Sequence, residues 1–269
     1  MARQPDGPPP PPVVQWLAIR YAKRGRLRFT SHRDFARAFE RALRRAGLPM
    51  AYSAGFTPHP KVSYLGAAPT GVASEAEYVE IGLADRRDPD VVRSDLDAAL
   101  PPGLDILTVL EAAHRGLAQR IDASAWQIEL PNADVGAVAV AVKAFLALET
   151  APVERLMKDG KRVVDARAAV VALAIADSGA SSPRDPQSEG GNGPCAIINT
   201  VVRHTTPAVR PDDVLTALRQ MAALSTPVTP VVTRLAQGRI DEVLPAPGEL
   251  PRLADPLAPD IAATGLPPA

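Results

Sequence analysis

The stretch over residues 14–22 is aliphatic and aromatic with single polar residues interleaved, which predicts a strand. From residue 31 to 46 the period lengthens to that of a helix. Phe35, Phe39, Ala42, Leu43 and Ala46 fall on one side, and Arg33, Arg37, Arg41 and Arg44 lie within about 80° of one another on the other. Ser31 stands where an N-cap belongs, able to take a backbone N–H of the first turn. A short strand over residues 51–56, a strand over 78–83, a helix over 89–100 and a strand over 104–110 complete the first half.

The second half repeats this alternation less regularly. A strand is expected over residues 126–130, a helix over 134–148, strands over 169–175 and 196–202, and a helix over 211–222. Lys158-Asp159-Gly160-Lys161 predicts a hairpin, because Asp-Gly supplies the positive φ that a tight two-residue turn requires. The order β-α-β-β-α-β is that of a ferredoxin-like sandwich. The expected fold is therefore α+β, two ferredoxin-like sandwiches in tandem over residues 13–115 and 122–236, the second irregular.

Proline and glycine mark the borders. Residues 8–12 are an unbroken proline run, so residues 1–12 are expected to be disordered, and residues 179–193 have the Gly, Ser and Pro content of a mobile loop. Beyond residue 237 seven prolines, from Pro245 to Pro268, argue against regular structure, so 237–269 is expected to be a disordered tail.

The 269 residues are 46% hydrophobic, enough for one large core or two small ones. The single cysteine, Cys195, excludes an internal disulfide, a four-cysteine zinc site and a self-contained iron-sulfur cluster. There is no uninterrupted apolar span of about 18 residues and no charged-then-apolar start, so a cytoplasmic protein without membrane contact is expected.

Formal net charge is zero, yet the charges segregate. Residues 13–64 carry eleven Lys and Arg against Asp34 and Glu40, a net +9, while residues 74–111 carry ten acids against three arginines, a net −7. The cations gather in two places: Lys23, Arg24, Arg26 and Arg28 before the first helix, and Arg33, Arg37, Arg41 and Arg44 along it, with Lys61 further on. Charge runs are usually a solvated face, here with Glu40 at pairing distance along the helix. Arginine in preference to lysine points instead to phosphate, whose oxygens a planar guanidinium grips in pairs. RNA is the expected polyanion.

Four residues are candidates for acid–base chemistry: His32 in the first turn of the helix, His59 between Pro58 and Pro60, Asp34 and Glu75. Structural roles compete with this reading, since the spacing alone does not bring the histidines together. His114 and His204 are expected to be structural or exposed, and Cys195 a small core residue. No metal set is expected, and phosphate-loop, dinucleotide and nucleophile-elbow patterns are absent.

Three segments carry a family resemblance: Leu27-Arg28-Phe29-Thr30-Ser31-His32-Arg33-Asp34; Phe39 to Pro49; and Tyr52-Ser53-Ala54-Gly55-Phe56-Thr57-Pro58-His59-Pro60-Lys61. Pro69-Thr70-Gly71-Val72-Ala73-Ser74-Glu75-Ala76-Glu77-Tyr78 agrees as well. The chain resembles the radical-SAM-linked family of uncharacterised proteins, domain of unknown function 2344, most closely over residues 14–112. The resemblance implies partnership with a radical SAM protein, and an RNA- or ribosome-related role. The cluster and S-adenosylmethionine would belong to that partner, because one cysteine cannot hold a radical SAM cluster. Ser31, His32, Gly55, Phe56, Pro58, His59, Pro60, Gly71 and Glu75 are the positions in those segments.

The expected role is an accessory subunit, not an enzyme on its own, that presents RNA to a modification enzyme and binds no cofactor itself. Two other roles fit the same residues: a metal-independent RNA-processing enzyme using His32 or His59, and a protein-interaction adaptor that touches no nucleic acid.

Overall fold

A computed structural model describes residues 10–113, 115–157, 160–176, 195–241 and 249–264. The chain is α+β and divides into two units, Met1–Arg120 with Pro256–Ala269, and Ile121–Asp255.

The first unit runs β1 (Gln15–Lys23), α1 (His32–Arg45), β2 (Val62–Leu65), β3 (Ala73–Leu83), α2 (Pro89–Ala99) and β4 (Leu104–Glu111). Its strands lie in the order β4-β1-β3-β2, every neighbouring pair antiparallel. Alternation along β1 sends Leu17, Ile19 and Tyr21 to one face, opposite Ile81, Val79 and Glu77 of β3. Onto that face α1 lays Phe35, Phe39 and Leu43, and α2 lays Val92 and Leu96, all buried. Tyr21 stacks on Phe35 with ring centres 4.4 Å apart. The other face of the sheet is closed too: Ala18, Ala22, Ala76, Tyr78 and Glu80 are all buried.

The helix begins and ends as its sequence dictates. Ser31 Oγ accepts the Asp34 N–H at 3.2 Å and donates to the Asp34 carboxylate at 2.7 Å. Gly47, at φ +61°, turns the chain out of α1 in a conformation that favours glycine.

The strand expected over residues 51–56 is absent. Met50 and Tyr52 make only isolated bridges, to Leu83 and Pro60, and the segment between Tyr52 and Pro60 is a loop. Gly55 at φ +129° breaks the extended run, and Pro58 and Pro60 lack the N–H that a ladder needs. The pairing strand comes later, at Val62–Leu65, where no proline intervenes.

The second unit contains β5 (Ala123–Pro131), α3 (Val135–Leu146), β6 (Pro152–Met157), β7 (Gly160–Asp165), the single turn α4 (Ala166–Ala169), β8 (Val170–Ile175), β9 (Cys195–Arg203), α5 (Pro211–Met221), β10 (Val231–Ile240) and β11 (Leu253–Ala254). β6 and β7 form the expected hairpin, Met157 opposite Gly160; its turn residues Lys158 and Asp159 lie outside the described residues. Apart from that hairpin and the short β11 beside β10, the strands lie in the order β10-β5-β9-β8, all antiparallel. Numbered first to last within each unit, both sheets have the order 4-1-3-2.

α3 buries Val138, Ala141, Val142 and Phe145, yet its outer side is also apolar, with Val135, Val140 and Leu146 exposed and Lys143 its one charge. Arg155 of β6 reaches Asp213 of α5 at 2.8 Å, and Asp213 also accepts the Arg210 N–H at 2.8 Å at the start of that helix.

Two boundaries need correction. Residues 237–269 are not uniformly without structure: β10 runs to Ile240, β11 pairs with it, and α6 (Ala258–Thr264) packs in the first unit. Proline density misleads here because Pro259 occupies the first turn of α6, where a missing N–H costs nothing. Buried Leu257 and Asp260 hold the segment in place. The first unit correspondingly extends past residue 115 to Arg120. The loop at 179–193 and residues 1–9 lie outside the described residues. No described helix is long and apolar enough to cross a membrane.

Candidate functional site

The α1 arginines divide from their neighbours by what holds them. Arg33, Arg37, Arg41 and Arg44 are exposed, and among the described residues none of the four forms an ion pair or a hydrogen bond through its side chain. Glu40, half-buried on the same helix, pairs with none of them. Along eleven residues at 1.5 Å each, the row is about 16 Å long, with successive members one turn apart. Their mutual repulsion is tolerated because each head group stays in water, where a charge pair at a few ångströms costs only about 1 kcal/mol.

Four of the cations around the row, Arg20, Lys23, Arg24 and Arg45, are committed to the protein. Lys23 is buried, its ammonium on the carbonyls of Ala68 and Pro69 at 3.3 Å each. A bulge between Tyr21 and Lys23 breaks the alternation and turns that side chain inward, so Lys23 does not belong to a binding surface. Arg24 forks onto Glu75 through Nε and Nη2 and onto Asp105 through Nη1, which holds its charge more firmly than usual. Arg20 donates to the Glu75 carbonyl at 2.9 Å, and Arg45 to the Ala99 carbonyl at 2.9 Å. The acidic segment thus neutralises Arg24 and leaves the α1 row alone. Arg26 is exposed, Lys61 is half-buried, and Arg28 lies over the Phe29 ring at 4.8 Å.

The four acid–base candidates occupy four different settings. His32 is exposed and meets the edge of the Tyr64 ring, centres 5.2 Å apart. Burial, with the charge of Glu40 adding to it, holds the Tyr64 phenol protonated far above the neutral range. Asp34 is engaged by Ser31 in the helix cap, and Glu75 by Arg24. His59 is exposed in the loop that closes between Tyr52 and Pro60, its N–H on Ser53 Oγ at 3.0 Å and its carbonyl accepting the Ser53 N–H at 2.9 Å. No hydrogen bond or ring contact joins His32 to His59. Among the described residues no group of three His, Cys, Asp or Glu could hold a metal ion.

Sequence reading passed over three features. Phe29, separated from α1 by two residues, is 58% exposed, and Phe56 is 69% exposed in the Tyr52–Pro60 loop; neither exposure is legible in the sequence. In the second unit, Ser124 Oγ lies 2.8 Å from His204 Nε2, and the His204 N–H donates to the Asp122 carbonyl at 2.7 Å. A serine beside a histidine suggests nucleophilic catalysis. Ser124 is only 1% exposed, however, so no substrate carbonyl reaches its oxygen and the pair anchors a strand end. His114 lies outside the described residues, and Cys195 is half-buried at the start of β9.

Fold and surface together define an α+β protein whose first unit displays a row of arginines uncommitted among the described residues. Residues 17–211, well over half of the chain, match the family described as uncharacterized protein conserved in bacteria (DUF2344), and the chain belongs to that family. No curated protein matches it.

Proposed function

We propose that this protein is a cytoplasmic accessory subunit that binds RNA through the α1 arginine row and presents it to a radical SAM modification enzyme. The iron-sulfur cluster and S-adenosylmethionine belong to that partner, since Cys195 is the only thiolate the chain offers. Each unit reads as a ferredoxin-like sandwich, supported by the 4-1-3-2 strand order and the two crossover helices on one face. The binding surface of the first unit is then its helix layer, because the sheet face on which such folds often hold RNA is closed here.

The observation that carries the reading is selective commitment. Arg24 and Lys23 are held by the protein's own acceptors, while Arg33, Arg37, Arg41 and Arg44, one turn apart, point at water. Planar guanidinium groups so placed match successive phosphates, each contact two parallel hydrogen bonds.

Filter binding across a salt series tests this. Each phosphate neutralised on a single strand contributes about −0.7 to the slope of log affinity against log salt, so four contacts give about −3. Replacing Arg33, Arg37 and Arg41 together by glutamate is expected to remove retention, and equal retention by the variant would overturn the reading. Co-purification with a radical SAM protein after nuclease treatment tests the partner: persistence supports direct protein contact, and loss confines the partnership to the RNA.

A further inference from the structure

We infer that the RNA held by the α1 row is unpaired, and that Phe29 stacks on one of its bases. This rests on the RNA reading above and adds the state of the strand to it.

A phenylalanine side chain left 58% in water forgoes a large hydrophobic gain, and here the protein supports the ring without covering it. One edge of Phe29 lies over Gly71, where an added Cβ would stand 3.9 Å from the ring. Gly71, at φ +91°, donates its N–H to the Arg28 carbonyl at 2.8 Å, fixing the short segment that carries the ring. The Arg28 guanidinium sits 4.8 Å from the ring centre, so one cation already rests against the π-system. Two residues, Thr30 and Ser31, separate Phe29 from the start of α1 at His32. The chain thus carries the ring just ahead of the N-terminal end of the helix that bears the arginine row.

An aromatic face with an adjacent row of cations is the combination that grips single strands: backbone charge on the arginines, a base on the ring. A-form duplex cannot use the ring, because its bases are stacked on one another and only phosphates and sugar edges are presented. Phosphate contacts alone would not distinguish the two, so discrimination between them reports on Phe29.

Fluorescence anisotropy with a labelled twelve-nucleotide uridine strand and a twelve-base-pair RNA duplex separates the possibilities. Wild type is expected to prefer the single strand. Phe29→Leu, which keeps an apolar contact on Gly71 but removes the π-face, is expected to weaken single-strand binding about 5- to 100-fold and leave duplex binding unchanged. Phe29→Trp is expected to retain the preference. Equal single-strand affinity of wild type and Phe29→Leu, or equal loss on both probes, overturns the stacking inference while leaving the arginine row standing. Binding of neither probe by wild type, or binding of an acidic polypeptide in their place, overturns the RNA reading itself.

Discussion

Arg120 Nη1 lies 2.6 Å from Asp260 Oδ2, an ion pair spanning 140 positions of the chain and almost wholly removed from water. The second carboxylate oxygen accepts the Ala113 N–H at 3.0 Å, and Arg120 also donates to the Pro256 carbonyl at 2.9 Å. Asp260, itself fully buried, thereby satisfies two donors.

Removing Asp260 takes the counter-charge from the largely buried Arg120 guanidinium and the acceptor from the Ala113 N–H. Asp260→Ala is expected to destabilise the first unit by about 3–5 kcal/mol, read as a lower urea midpoint. An unchanged midpoint would show that α6 contributes nothing to folding.

Asp213 is the second buried anion to do double duty, taking both Arg155 and the Arg210 backbone N–H. Asp213→Ala is expected to cost more than Arg155→Met, because the alanine variant loses the helix-start hydrogen bond and also strands a buried guanidinium. A double-mutant cycle should give a coupling of about 0.5–3 kcal/mol. Strict additivity would mean that the contact carries no energy.

His204 makes the second unit sensitive to acid. Desolvation, followed by the charge of Arg234, lowers its pKa below the ordinary 6.5, while Asp122 pulls the other way. The folded state thus binds a proton less readily than the unfolded chain. The stabilisation is present above about pH 6.5 and is lost as pH falls through the depressed folded-state value. His204→Gln is expected to flatten this dependence in denaturant titrations at pH 5 and 7.5. The same slope in both proteins would assign the acid sensitivity to another group.

Much of the first unit, though not β2, could be read from its residues, since single local signals decided β1, α1, α2 and β4. Phe35, Phe39 and Leu43 set the buried face of α1, Ser31 set its start, and the exposed arginines followed from the same period. β10 escaped because its pattern is misleading: Arg234 and Gln237 are buried, so polar residues occupy positions that a strand ordinarily fills with aliphatic ones. Tertiary surroundings override the local preference there.

The same limit applied to the site. Spacing showed which cations share a side of α1, and the family resemblance pointed to their neighbourhood. That Lys23 turns inward depends on a bulge, and that Glu75 and Asp105 select Arg24 depends on strands 50 to 80 residues away. Neither relation has a signature in a linear pattern. That no contact joins His32, at the start of α1, to His59, in the Tyr52–Pro60 loop, likewise depends on how that loop closes.

Each unit places its first crossover helix at the same point in the strand order, and the two helices have opposite surface chemistry. Sodium chloride should loosen whatever α1 grips, because counterions compete for its guanidinium groups. Sulfate should instead favour adhesion through the valines of α3, by making wetted hydrocarbon more costly. The two helices should therefore respond oppositely to the choice of salt, α1 weakened by chloride and α3 made stickier by sulfate.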